Sequence, residues 1–186
     1  MKFEFDPVTV GTLERDWWKA HNEKNKPLML EKLIQEHQEL YSMGEKEANQ
    51  ALVYLAQAAK YHDVRDWDKA KEKAMRYYEA IKKATSLDFD SRQLAEMEVG
   101  WWKLHDKLEF EEDKSQLARA FTKLYAAEFG VNSGKLEVAG KLKAQATREH
   151  DLAEAVGVGE DEAAEHWNKA GEKLTKFYRE LLRVVQ

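Results

Sequence analysis

The chain has 186 residues, with 30 Lys and Arg against 35 Asp and Glu for a net charge of −5, and it contains no Cys. That length holds one or two small domains; the acidic balance argues against nucleic acid as a partner, and the absence of Cys removes disulfides, thiolate metal sites and Cys nucleophiles. Hydrophobic residues at 43% support a packed core, no apolar run approaches the roughly 18 residues of a membrane span, and the acidic opening MKFEFDPVTV lacks a signal-peptide pattern, so a soluble, cytoplasmic protein with no membrane partner is expected.

Gly and Pro are scarce, 9 and 2 respectively, and charged residues make up 35% of the chain, a composition that favours helix throughout. A first helix is predicted from Val8 or Val10, just after Pro7, along Val10, Leu13, Trp17 and Ala20. Pro27 suits the first turn of a second helix, striped by Leu30, Leu33, Ile34, His37, Leu40 and Tyr41 and capped by Gly44. A third helix runs from Glu45 to Asp63 along Ala51, Leu55, Ala58 and His62, and a fourth carries Trp67, Ala70, Ala74, Tyr77, Tyr78 and Ile81 to near Leu87.

The rest of the chain repeats the first part in the same order. Glu14-x-x-Trp17-Trp18-Lys19-x-His21 matches Glu98-x-x-Trp101-Trp102-Lys103-x-His105 at an offset of 84, which also relates Leu40-Tyr41 to Leu124-Tyr125. Ala56-Gln57-Ala58 with His62-Asp63 matches Ala144-Gln145-Ala146 with His150-Asp151 at 88, and Trp67 and Tyr78 match Trp167 and Tyr178 at 100. The expectation is an all-α, internally duplicated bundle of about eight helices. Two four-helix units, residues 1–88 and 89–186, would be related by a pseudo-twofold axis and either stand side by side or share one core. The opening FDPVTVGTLERDWWKAH resembles small prokaryotic helical proteins with the pattern FDP, LE, WW, H; that resemblance implies no activity.

The repeated polar residues are the candidate site. Glu14, His21, His62 and Asp63, with Glu98, His105, His150 and Asp151, supply carboxylate and imidazole donors from several helices, the raw material of a divalent-metal site inside a bundle. Trp18 and Trp102 sit about 100° off the main apolar stripes. With His21, His62, His105 and His150 they could line a pocket for a small ligand or meet a partner, whereas Trp17, Trp67, Trp101 and Trp167 read as core. His37, where the second copy has Phe121, reads as an aromatic space-filler, and His166 as solvated. No phosphate loop, HExxH or nucleophile elbow is present. The leading expectation is a non-enzymatic protein-interaction or small-ligand-binding module without a cofactor; the second is a metal-binding protein or metal-dependent enzyme built on the Glu, His and Asp set.

Overall fold

The computed structural model describes residues 4–186, and among them there are eight α-helices, one short 3-10 turn and no strand. The helices are α1 (Pro7–Asn22), α2 (Lys26–Tyr41), α3 (Glu45–Asp63), α4 (Trp67–Ala84), α5 (Ser91–Leu108), α6 (Ser115–Glu128), α7 (Glu137–Val156) and α8 (Asp161–Val185). None is long and apolar enough to cross a membrane.

Local chemistry sets the helix starts. Asp6 accepts the backbone N–H groups of Val8 and Thr9 to open α1, and Asp90 accepts those of Arg92 and Gln93 to open α5. Asn25 and Asp66 cap α2 and α4 in the same way, each satisfying a donor that the first helical turn leaves without a partner. Gly44 differs from its expected role. Ser42 takes the left-handed conformation that ends α2, with φ 53°, while Gly44 is extended and precedes α3.

Each helix packs on its neighbours in the chain, and α8 returns to pack on α1, so the eight helices close into a ring. The largest core cluster draws on the whole chain, from Phe5 and Val10 through Tyr78, Phe89 and Leu94 to Phe177 and Leu181. The segment between α4 and α5 belongs to it: Leu87 and Phe89 are buried, and Phe89 meets the Tyr78 ring edge-on at 5.8 Å.

Two glycines allow close helix approach. A methyl group at Gly11 in α1 would lie 2.7 Å from the Thr175 nitrogen of α8, and one at Gly140 in α7 would lie 2.5 Å from the Ala118 carbonyl oxygen of α6. Backbone cannot retreat as a flexible side chain can, so Gly140→Ala is expected to destabilise the protein by about 1–3 kcal/mol despite the better helix propensity of Ala. Gly100 in α5 meets nothing within 4 Å, and Gly100→Ala should stabilise by roughly 0.5–1 kcal/mol. Urea midpoints of the two variants against the parent check both signs.

Candidate functional site

Four glutamates and a lysine converge on the interior of the ring, where a charged group is rarely found unless paired. Glu14 (α1), Glu36 (α2), Glu128 (α6) and Lys143 (α7) are buried, and Glu98 (α5) points inward with them. Each acid is hydrogen-bonded to a tyrosine hydroxyl, Glu14 and Glu36 sharing that of Tyr178. Tyr178 bonds Glu14 at 2.8 Å and Glu36 at 3.1 Å, Tyr78 bonds Glu98 at 2.7 Å, and Tyr41 bonds Glu128. Indole N–H groups add to this: Trp17 donates to Glu36 at 2.8 Å and Trp102 to Glu98 at 3.1 Å. Lys143 forms an ion pair with Glu14, and its ammonium lies over the rings of Trp18 and Phe177, each at 5.2 Å, and of Tyr125 and Tyr178, each at 5.9 Å.

One ammonium cannot neutralise four carboxylates. Burial, then the charge of Glu14, pushes the Glu36 carboxyl up to about 8. Burial raises Glu128 to about 7 and also raises Glu98. The arrangement is one ion pair, Glu14 with Lys143, set among acids that resist ionisation.

A second cluster lies at one end of the ring, where the last turn of α5, the loop into α6 and the last two turns of α7 meet. His105 Nε2 is 2.8 Å and His150 Nδ1 3.2 Å from the same oxygen of Asp151, Oδ1. The other oxygen, Oδ2, accepts from buried Lys114 at 2.8 Å. Lys114 is itself held by the carbonyls of Leu108 and Glu109, which the end of α5 leaves without helical donors. Burial opposes ionisation of Asp151, but hydrogen bonds from His105, His150 and Lys114 outweigh it and hold the carboxyl well below the ordinary range. His150 is walled edge-on by Trp18 of α1 at 5.2 Å and Trp167 of α8 at 5.6 Å. Asp151 is buried, while His105 and His150 keep part of their surface in water.

The candidate residues therefore separate. His105, His150 and Asp151 come together, and among the described residues they are the one set of three His, Asp or Glu ligand atoms lying within 4.8 Å of one another. Glu14 and Glu98 belong to the carboxylate core. His21 is exposed at the end of α1, although it shares a helix face with Glu14, because the last turn of α1 carries that face beyond the core. His62 is half-buried between Trp67 at 5.4 Å and Trp102 at 5.5 Å. Its Nε2 lies 3.1 Å from Asp106, while Asp63 faces solvent.

The tryptophans depart from their expected roles in α1. Trp18 is buried and Trp17 only partly so, because α1 packs on both α2 and α8 and its buried arc centres on Val10, Glu14 and Trp18. His37 is buried, as an aromatic space-filler would be, but it also bonds the Leu33 carbonyl and the Tyr77 hydroxyl, both at 2.9 Å. His166 is paired with Glu149 at 2.7 Å rather than free in solvent. The sequence does not single out Glu128, Lys114 or Lys143, nor Glu36 as a buried acid. The usable signal was an acid in the middle of an apolar stripe, as Glu36 is between Leu33 and Leu40.

No family model matches the chain, and neither does any curated protein or solved structure.

Proposed function

We propose that the protein binds a divalent transition metal through His105, His150 and Asp151. The observation that carries this reading is the convergence of two imidazole nitrogens on one carboxylate oxygen, 2.8 and 3.2 Å away. Ligands at 2.0–2.1 Å from a tetrahedral ion lie roughly 3.3 Å apart, so a small opening of the three side chains admits the ion. Lys114 occupies Oδ2 and leaves Oδ1 to the imidazoles, which makes it the outer partner that orients a ligating carboxylate. The ion replaces the imidazole protons directed at Oδ1, and Asp151 is already ionised. Three protein ligands leave a coordination position open to water or substrate, as in catalytic rather than structural zinc sites.

The test is calorimetric titration with Zn²⁺, alongside the visible spectrum of the Co²⁺ form, on protein carrying no affinity tag. The expected result is one ion per chain, weakened at least tenfold by His105→Ala or Asp151→Asn and unchanged by His21→Ala. Failure of the parent to bind Zn²⁺ at about 100 µM, or equal binding by His105→Ala, overturns the reading.

We also infer that the chain arose by duplication of a four-helix unit, with α1 to α4 corresponding to α5 to α8. Matched positions make matched contacts in support of this. His62 packs on Trp67 and Trp102, and His150 on Trp167 and Trp18. Tyr78 bonds Glu98 as Tyr178 bonds Glu14, and Phe89 meets Tyr78 as Phe5 meets Tyr178. His62 with Trp67 and His150 with Trp167 each stay within one half, but the other pairs all join opposite halves, which favours two interlocked units sharing one core over two units side by side. The metal ligands break the correspondence, since His21 and Asp63, the matches of His105 and Asp151, are exposed.

A further inference from the structure

A groove of about 360 Å³ runs between α5 and α6, at the lower end of the size range of small-molecule sites. Its floor is apolar, formed by Met97, Trp101 and Leu104, and its rim carries Arg119 and Lys123. These two cations stand one turn apart on α6 and no acid lines the groove; Asp113, in the loop before α6, is within electrostatic reach of Arg119.

The groove exists because two side chains are missing from it. Gly100 sits in the interior of α5 with a negative φ and nothing within 4 Å of where its Cβ would be, so neither backbone conformation nor close packing requires glycine there. A glycine in that position weakens the helix. Ala120 is the second gap. By the sequence match at offset 84, Gly100 corresponds to Asp16, Ala120 to Glu36 and Lys123 to Glu39. Between α1 and α2, Glu36 reaches inward and accepts the Trp17 indole N–H at 2.8 Å. Between α5 and α6 no such carboxylate is supplied. The matching indole, Trp101, has its N–H buried beside Glu98 without a hydrogen bond of good geometry, and Glu98 already receives Tyr78 and Trp102.

We infer that the α5–α6 groove binds a small amphipathic carboxylate, its apolar chain or ring lying on Met97, Trp101 and Leu104 and its anionic head meeting Arg119 and Lys123. The ligand supplies from outside the negative charge that Glu36 supplies from within in the matching interface. The inference is independent of the metal proposal and uses the two halves only as an alignment of positions.

The probes are octanoate and 1-octanol, which share a chain and differ in charge, titrated into the ¹⁵N-labelled protein while the Trp101 indole and the Arg119 and Lys123 amides are followed. Octanoate should bind saturably and at least fivefold more tightly than octanol. Arg119→Ala with Lys123→Ala should erase that preference and leave octanol binding unchanged. Ala120→Glu, which restores an internal carboxylate, should weaken octanoate at least tenfold. Absence of saturable shifts at about 10 mM octanoate, equal binding of the alcohol, or a preference that survives loss of both cations overturns the inference. The Arg119 and Lys123 arm alters only exposed side chains, so it decides the matter even if Ala120→Glu fails to fold.

Discussion

Replacing Lys143 by Met should destabilise the protein by about 3–5 kcal/mol, the range for removing one partner of a buried ion pair. The ammonium is the charge partner of Glu14 in an interior that also holds Glu36, Glu98 and Glu128. Met keeps most of the stem volume against Trp18 and Phe177, so the loss reports charge rather than a cavity. Glu14 would keep only the Tyr178 hydroxyl, and the attraction that opposes ionisation penalties at Glu36 and Glu128 would vanish with the cation. Adding Glu14→Gln to Lys143→Met should recover more than half of the loss, because the stranded charge is removed with its partner. Chemical denaturation of the two single variants and the double variant closes the cycle. A loss below about 1 kcal/mol for Lys143→Met, or a double variant no more stable than the single, would show that the pair is not the electrostatic centre of the core.

The helices and their starts were legible because both depend on local chemistry. Asp6, Asn25, Asp66 and Asp90 each sit just before an apolar period, and the scarcity of Gly and Pro left few places for loops. The candidate metal cluster was half legible. Repetition singled out His105, His150 and Asp151, yet the same repetition singled out His21 and Asp63, which the fold leaves in solvent. Periodicity gives the angle between residues on a helix but not which arc faces inward, so Trp17 and Trp18 exchanged expected roles once α1 was packed between α2 and α8. The carboxylate core was hidden for a different reason. In a chain that is 35% charged, Glu36, Glu128 and Lys143 read as part of a solvated face. What marks them is a partner remote in sequence, Tyr178 for Glu36, Tyr41 for Glu128 and Glu14 for Lys143, and only the closed ring brings those partners together.

The same core should give the protein an inverted pH dependence above pH 5, with lower stability at pH 8.5 than at pH 5. Burial, with Glu14 nearby, raises Glu36 to about 8, and burial raises Glu128 to about 7, against an unfolded value near 4.3. A carboxyl whose folded pKa is raised stabilises fully below the unfolded value, and that contribution disappears as pH rises through the folded one, because the unfolded chain releases its proton first. His37 acts in the opposite sense. Burial lowers it to about 4, so it favours folding above roughly 6.5, and its contribution falls away as pH drops from there toward 4. Glu98, which burial also raises, acts in the same sense as Glu36 and Glu128, so these acids outweigh the one imidazole and leave a net decline above about pH 4.5, steep at pH 6.5 to 7, where the His37 contribution is complete and Glu36 and Glu128 still hold protons that the unfolded chain has lost. Glu36→Gln isolates the largest part. The amide oxygen can accept from Trp17 and its NH₂ can donate to the Tyr178 oxygen, as a protonated carboxyl would. The variant should therefore fold like the parent at pH 5 and surpass it at pH 8.5, narrowing the difference between the two pH values by on the order of 3 kcal/mol. Urea unfolding of both proteins at the two pH values measures this, and a parent equally stable at both, or a Glu36→Gln variant with the parent's pH dependence, would mean that Glu36 enters the core as readily ionised as neutral.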